Sequence, residues 1–266
     1  MIYFVLGSHP ELSFAEIQAI APKNTEITKI SNEIAFADLS AEHIPFLQAK
    51  LAGVIKIGLI IGEIKEWNLD DVADLLSSCA IQAPGKNKIT FGISVYGEKS
   101  KKAEKLQKQT ERLGLETKKR LKQSDRPVRL VTSKEETLSA VVIEKNNLLS
   151  SGGEFVIIPT KDTVFVGQTQ TIQDFSSWSH RDYDRPAKDA KSGMLPPKLA
   201  RMMINLAGIE PDKSTLLDPF CGSGTVLMEA ILLGFQKIIG SDISEKAIND
   251  TGKNLKWFVR EFNLDE

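Results

Sequence analysis

The chain has 266 residues, 41% of them hydrophobic, which is enough for two domains with buried cores. Its formal net charge of −1 at pH 7 excludes a global basic surface as a means of binding nucleic acid, so any such signal must be local. Its two cysteines are isolated and its three histidines are far apart, so the composition indicates neither a disulfide framework nor a metal site.

No stretch of the sequence has the length of a membrane span. The longest apolar run, residues 51–64, is interrupted by Lys56, Gly58 and Gly62 and is too short to cross a bilayer. The first residues lack the basic start of a secretory signal. We therefore expect a cytoplasmic protein with no membrane and no metal among its partners, and its oligomeric state stays open.

The first 66 residues alternate between strand-like and helical stretches. Ser13 followed by Glu16 fits a capping box at the start of the first helix. The order of predicted elements is βαββαβ, which is the ferredoxin-like order, although other small α/β layers also have it. The predicted strands are 2–7, 26–30, 33–38 and 54–64, and the predicted helices are 13–20 and 41–52.

Residues 67–168 read as a second α/β module. A helix is predicted from residue 68 to about 79, and a long charged helix from 100 to 122. A turn at 150–153 and a hairpin close the module, and the polar segment 169–192 is predicted to be an interdomain linker. The predicted strands are 89–96, 128–131, 155–158 and 164–166.

Local positive charge is concentrated in residues 98–129, which contain twelve basic residues and five acidic ones. Such a patch can neutralise phosphates. The alternative is a solvent-exposed helix face on which oppositely charged residues form ion pairs, such as Glu104 with Lys108. We prefer that alternative for residues 99–112. At 118–122 and 126, where cations predominate, we prefer contact with RNA. The candidate RNA-binding residues are Lys118, Lys119, Arg120, Lys122 and Arg126.

A glycine loop follows a predicted helix at 194–207. An apolar strand ends in Asp218, small residues follow, and an apolar helix runs from 226 to 233. Glycine at 222 and 224 permits a sharp turn and the close approach of a ligand to the backbone. Candidate ligand-binding residues in this loop are Asp218, Pro219, Phe220, Cys221, Gly222, Ser223, Gly224 and Thr225.

The sequence around the loop narrows the class of ligand. Leu227 stands where a dinucleotide site prefers a third glycine, and the Gly-Lys pair of a phosphate-binding P-loop is absent. The next predicted strand, 237–242, ends in Asp242, at a distance along the chain that suits hydrogen bonds to ribose hydroxyls. The alternative for Asp242 is a helix N-cap or turn residue before Ile243, and it can be both.

Asp218 to Ala230 resembles motif I of the S-adenosylmethionine-dependent methyltransferases, in the form found in enzymes that methylate amino groups of bases. The whole chain resembles roughly the N-terminal two-thirds of a THUMP-domain methyltransferase, of the archaeal-type tRNA guanosine-10 N2-methyltransferase family and its bacterial relatives. The stretches that carry the resemblance are 7–17, 184–207 and 218–230, together with the THUMP order of elements in 67–168.

The resemblance implies an α/β fold with a ferredoxin-like domain (1–66), a THUMP domain (67–168), a linker (169–192) and the first part of a Rossmann-like methyltransferase domain (193–266). It implies S-adenosyl-L-methionine as cofactor and tRNA as partner, with THUMP holding the acceptor end of the tRNA. It also implies that Asp242 and Ile243 join the loop in holding the cofactor, that Asp218 lies near its methionine end, and that the segment before motif I helps to build the pocket.

One element of the family is missing from the sequence. Amino-methyltransferases of this kind hold the target amine in an Asp/Asn/Ser-Pro-Pro-Tyr loop, and no such tetrapeptide occurs here. We therefore assign no catalytic residue and expect an incomplete form that is inactive on its own. The alternatives are a DNA adenine or cytosine amino-methylase and a non-catalytic RNA-binding module. Cys221 is expected to be a small packing residue rather than a nucleophile, because it lies inside the cofactor loop.

Overall fold

The computed structural model describes residues 1–84, 88–97, 100–189 and 193–264. In this part of the chain the protein is a mixed α/β structure, which confirms the predicted fold class. It divides into two compact units, which are described separately below. The first contains residues 1–11, 22–48 and 54–173, and the second contains 12–21, 49–53 and 174–266.

A single sheet of eight strands forms the frame of the first unit. Its order is β2-β3-β1-β4-β8-β7-β5-β6. Strand β4 pairs antiparallel with β8, so the two predicted N-terminal modules share one continuous sheet. The strands are β1 (Ile2–Leu6), β2 (Ile27–Lys29), β3 (Ile34–Ala37), β4 (Val54–Ile64), β5 (Ile89–Val95), β6 (Val128–Val131), β7 (Gly152–Pro159) and β8 (Val164–Ile172).

Among the described residues, six α-helices precede residue 152. They are α1 (Pro10–Ile20), α2 (Ile44–Lys50), α3 (Leu69–Ile81), α4 (Lys101–Leu121), α5 (Ala140–Lys145) and α6 (Leu148–Ser151). Helix α4 begins where the sequence predicts, because the Ser100 side chain accepts a hydrogen bond from the amide of Ala103 at 3.1 Å. Its narrow apolar stripe, Leu106, Leu113 and Leu121, is buried with α3, β5 and β7 in the main core of the unit.

A buried polar network crosses the centre of the sheet. Lys56 on β4 donates to Oε1 of Glu154 on β7 and to the carbonyl of Leu138, at 2.6 Å in both cases. The hydroxyls of Ser94 and Thr169 donate to the two carboxylate oxygens of Glu154 at 2.5 and 2.6 Å. Each charged atom therefore has hydrogen-bond partners that replace water.

The second unit contains the predicted strand, glycine loop and helix. It also contains residues 12–20 of α1. Its other elements are α7 (Phe175–Tyr183), α8 (Pro197–Leu206), β9 (Thr215–Asp218), α9 (Thr225–Leu233), β10 (Lys237–Gly240) and α10 (Glu245–Glu261). Strands β9 and β10 are parallel neighbours. Leu216 of β9 packs with Leu227, Ala230 and Leu233 of α9, so the apolar periodicity of the sequence is that of a helix covering one face of these strands.

The capping box predicted at Ser13 and Glu16 is wrong. Helix α1 begins at Pro10, so both residues lie inside it. The Glu16 carboxylate instead accepts hydrogen bonds from the amides of Ala52 and Gly53, at 3.0 and 2.8 Å, and from Nδ2 of Asn205 at 2.7 Å. Burial raises the pKa of Glu16, and these hydrogen bonds oppose the rise.

Two irregular segments of the prediction are more regular in the structure. The predicted turn at 150–153 contains the end of α6 and the start of β7. The predicted linker, 169–192, contains the last residues of β8 and the whole of α7, and its residues 190–192 lie outside the described part. Helix α7 was not predicted because its composition is polar. Its N-cap is Asp174, whose side chain accepts a hydrogen bond from the amide of Ser177 at 2.9 Å.

Candidate functional site

Two aspartates stand at the same edge of the β9–β10 pair. The register aligns Gly240 with Asp218 at the carboxyl ends of the parallel strands, and Asp242 follows two residues later. The amide of Ser241 donates to the carbonyl of Asp218, and the amide of Cys221 donates to the carbonyl of Ser241, both at 2.9 Å. The two strand ends and the glycine loop are thus joined by backbone hydrogen bonds, and ligands of open parallel sheets bind at such an edge.

The glycine loop has the backbone that its sequence predicts. Gly222 and Gly224 have φ values of 53° and 88°, in the left-handed region that favours glycine. The amide of Gly222 donates to Oδ2 of Asp242 at 3.0 Å, and the amide of Phe220 donates to Oδ1 of Asp218 at 3.1 Å. A Cβ atom added at Gly222 would meet no atom within 4 Å. The loop therefore presents bare backbone to open space between two carboxylates.

The side chains of the loop divide into two sets. Phe220 and Ile243 are exposed, at 84% and 104%, beside the two aspartates. Cys221, Ser223 and Thr225 are buried, so their side chains are not available to a ligand. Cys221 belongs to the core of this unit, and burial raises the pKa of its thiol, which opposes a nucleophilic role.

Helix α10 supports the loop from behind through two side chains that the sequence analysis did not identify. Thr251 donates from its hydroxyl to the carbonyl of Gly222 at 2.7 Å. Asn254, one turn later, donates to the carbonyl of Ser223 at 2.8 Å. Both side chains are buried on the apolar face of an amphipathic helix. Two polar residues three positions apart on that face were the sequence signal by which they could have been identified.

A buried carboxylate on α9 forms ion pairs with two arginines. Glu229, which the sequence analysis included in the motif, is paired at 2.8 Å with Nε of Arg181 on α7 and with Nε of Arg201 on α8. The two guanidinium groups also face the ring of Trp178, at 3.9 and 5.0 Å from its centre. Burial raises the pKa of Glu229 and the two arginines oppose the rise. Glu229 thus fastens α7 and α8 to the helix that follows the loop.

The candidate RNA-binding residues differ in their surroundings. Lys119 and Lys122 are exposed and Lys118 is partly exposed at the end of α4. Arg120 is paired with Asp70 at 2.7 Å and with Asp74 at 2.6 Å. These hydrogen bonds raise the pKa of Arg120 and direct its side chain toward α3.

Arg126 is held by backbone carbonyls at the end of α3. Its Nη1 donates to the carbonyls of Ile81 and Ala83 at 3.2 and 3.0 Å. It lines a cavity of about 310 Å³ together with Lys88, Asn147 and other polar residues, and none of the described residues that line this cavity is acidic. Glu98 and Lys99, which the predicted basic patch included, lie outside the described residues.

The described residues contain no group of three or more histidine, cysteine, aspartate or glutamate side chains arranged to hold a metal ion. None of the helices within those same residues is both long and apolar enough to cross a membrane.

Residues 185–259 match the family of UPF0020, the RMKL-like methyltransferase domain. The chain is similar to the tRNA (guanine(10)-N2)-dimethyltransferase of Methanothermobacter thermautotrophicus, with 38% identity over 85 residues, covering 28% of this chain and 25% of the relative. It is also similar to the enzyme of the same name from Methanocaldococcus jannaschii, with 34% identity over 108 residues, covering 41% of this chain and 29% of the relative. These matches span less than a third of the relatives' own length.

A solved structure shares the fold over nearly the whole chain. It is described as a possible methylase from Clostridium difficile 630, with a TM-score of 0.51, 17% identity and coverage of 97% of this chain and 71% of the other. At that identity the likeness concerns the fold alone. The family match confirms the methyltransferase prediction and the predicted cofactor class, S-adenosylmethionine. The part of the chain that matches the UPF0020, RMKL-like methyltransferase domain, residues 185–259, therefore includes the glycine loop and both aspartates.

Proposed function

We propose that this chain carries the cofactor site of an S-adenosylmethionine-dependent methyltransferase that acts on an exocyclic amine of a base in tRNA, with N2 of guanosine as the target. One observation carries the proposal: Asp218 and Asp242 flank a left-handed glycine loop at the common edge of two parallel strands. The names of the two archaeal relatives support tRNA and guanine N2 as substrate.

The residues present fit this cofactor, which supplies a methyl group on a sulfonium sulfur. Each carboxylate oxygen of Asp242 accepts one backbone hydrogen bond, from Gly222 or Ser244. Since a carboxylate oxygen has two lone pairs, both oxygens keep the capacity to accept from ribose hydroxyls. The exposed side chains of Phe220 and Ile243 offer apolar surface to the adenine ring. We assign Asp218 to the methionine end.

The contribution of this chain to the reaction is orientation. Holding the methyl donor rigidly beside the base lowers the entropic part of the barrier. The 266 residues contain no Asp/Asn/Ser-Pro-Pro-Tyr tetrapeptide to hold the amine. We therefore propose that this chain on its own binds the cofactor and does not transfer the methyl group.

We assign the RNA contacts to the predicted modules 1–66 and 67–168. The exposed lysines at the end of α4 are the candidates for phosphate contact, and the polar cavity beside Arg126 offers a second cationic surface. We place Arg120 outside the RNA surface, because Asp70 and Asp74 already occupy its guanidinium group.

Calorimetric titration of S-adenosylmethionine tests the cofactor site. The wild-type chain is expected to bind, and Asp218→Ala and Asp242→Ala are each expected to weaken binding, since each removes a carboxylate beside the loop. Asp212→Ala is the matched control, because Asp212 is an exposed acid that lies before β9. Unchanged affinity in both loop variants would refute the site assignment.

A further inference from the structure

Asn254 joins two segments that are far apart in the sequence. Its Oδ1 accepts from the amide of Ala187 at 2.9 Å, and its Nδ2 donates to the carbonyl of Ala187 at 3.0 Å and to that of Ser223 at 2.8 Å. The side chain is fully buried, at 0% exposure. A primary amide has two N–H donors and one oxygen, so both donors of Asn254 are used and the oxygen is engaged.

A second buried contact joins the same two segments. Nη1 of Arg185 donates to the hydroxyl of Thr225, the first residue of α9, at 2.6 Å. Arg185 is 1% exposed. Residues 185–187 are therefore attached to the glycine loop at two points, Ser223 and Thr225.

The hydrogen bonds from α10 also fix the orientation of the loop's peptide planes. In a trans peptide the N–H points opposite to the C=O. Thr251 and Asn254 hold the carbonyls of Gly222 and Ser223 toward α10, so the amides of the next residues point away from that helix. Loss of the Asn254 side chain would leave the buried carbonyl of Ser223 without this donor and that peptide plane free to turn.

We propose that Asn254 is a positioning residue for cofactor binding. It holds Ala187 and Ser223 in a fixed relation, so that the segment before motif I and the glycine loop act as one preformed surface. This inference rests on the proposed function, because it takes the loop as the place where the cofactor binds.

The test is the dissociation constant of S-adenosylmethionine for the 266-residue chain, measured by calorimetry well below the melting temperature of each variant. Asn254→Ala is expected to raise the dissociation constant by about tenfold to a hundredfold, which corresponds to the loss of one or two buried hydrogen bonds. Phe258→Leu is the matched control, because Phe258 is an equally buried residue of the same helix that packs on Phe262. It is expected to lower the melting temperature without changing the affinity.

The variant Asn254→Asp distinguishes the effect of losing the hydrogen-bond donor from the effect of losing side-chain volume. Aspartate keeps the shape and the acceptor for the amide of Ala187, but its ionised form cannot donate to Ser223. Its affinity, relative to wild type, is therefore expected to be low at pH 8 and to recover as the pH falls and the carboxyl becomes a donor. Asn254→Ala is expected to show no such recovery. The Asp variant conserves volume and provides the same comparison if the Ala variant does not fold.

The outcomes distinguish the inference from the proposed function. Wild-type binding with unchanged affinity in both Asn254 variants would overturn the positioning role and leave the site in place. An equal loss of affinity in Phe258→Leu would also overturn it, since the effect would then be one of stability. The absence of any wild-type binding would overturn the proposed function and this inference together.

Discussion

Nζ of Lys56 lies 2.6 Å from Oε1 of Glu154, in an ion pair whose side chains are 1% and 0% exposed. The pair joins β4 to β7 across β8 in the centre of the eight-stranded sheet. Removing two charges from water is costly, and close pairing with additional hydrogen bonds offsets that cost. Such a pair is therefore expected to affect stability most when only one partner is removed.

Lys56→Met is expected to destabilise the chain by about 3–5 kcal/mol, because it leaves the Glu154 carboxylate buried without its cation. The double variant Lys56→Met/Glu154→Gln is expected to lose less, since no unpaired charge remains. The measurement is the free energy of unfolding in urea. Lys213→Ala is the control, because its ion pair with Glu210 is exposed and its loss is expected to leave the free energy of unfolding nearly unchanged. A double variant less stable than the single one would contradict this account.

Gly222→Ala is expected to weaken S-adenosylmethionine binding as well as stability. Its φ of 53° costs a residue with a Cβ about 1–2 kcal/mol, and the new methyl group would project into the space assigned to the ligand. Gly208→Ala is a matched control, since Gly208 has a φ of 63° and equal free space but lies outside the loop. Both variants are expected to melt earlier, and only Gly222→Ala to bind less cofactor. Equal binding by the two variants would speak against a ligand at this loop.

His180 is expected to stabilise the second unit at acidic pH. Its Nδ1 lies 2.8 Å from Asp184 and its Nε2 lies 3.2 Å from Glu261, and these carboxylates raise its pKa, Asp184 having the larger effect. Because the folded-state pKa exceeds the unfolded value of about 6.5, the contribution is fully present below that value. It is lost as the pH rises through the higher folded-state pKa.

The measurement for His180 is the free energy of unfolding of wild type and His180→Gln at pH 5.5 and pH 8.5. The difference between the two proteins is expected to be larger at pH 5.5. His43→Gln serves as the control, since the His43 ring contacts Ser40 rather than a carboxylate. A difference that grows with pH would show that the charged form of His180 is not the stabilising one.

Replacement of Lys118, Lys119 and Lys122 by alanine is expected to lower the affinity for tRNA and to make that affinity less dependent on salt concentration. Each lost phosphate contact lowers the slope of log affinity against log salt by roughly 0.7 to 0.9. Arg120→Ala is expected to leave the slope unchanged and to lower the melting temperature, because Arg120 is bound to Asp70 and Asp74.

Filter binding of unmodified tRNA at several salt concentrations measures these slopes. A triple variant of exposed lysines outside the cluster, Lys23, Lys65 and Lys161, is the control for a general loss of charge. If the control lowers the slope as much as the cluster does, the end of α4 is only a solvated face.

The sequence allowed the conformation of the glycine loop to be predicted because its determinants are local. A strand that ends in an acid, two glycines and an apolar helix occupy consecutive residues, and Gly222 and Gly224 adopt the positive φ values that glycine favours. Asp242 could be predicted for the same reason, since it follows the next strand, and the structure adds its hydrogen bond with Gly222.

Other features depend on contacts between distant parts of the chain. Glu16 matched a local capping pattern, yet its carboxylate is bound by amides at 52 and 53. Arg120 is indistinguishable in sequence from the lysines around it, and only the position of α3 shows that it is paired. Asn254 has partners at 187 and 223, which no local periodicity relates to it.

The pairing of β4 with β8 has a consequence for the synthesis of the chain. Strand β4 is complete at Ile64, but its partner begins at Val164. At about 5–20 residues per second, a ribosome needs roughly 5–20 s to make the intervening chain. During that interval the 11-residue strand β4 has one edge without its native neighbour, and such edges recruit strands from other chains. Crowded polysomes and rapid overexpression are therefore the conditions under which this chain is most prone to aggregate, and slower translation before Val164 would prolong the exposure.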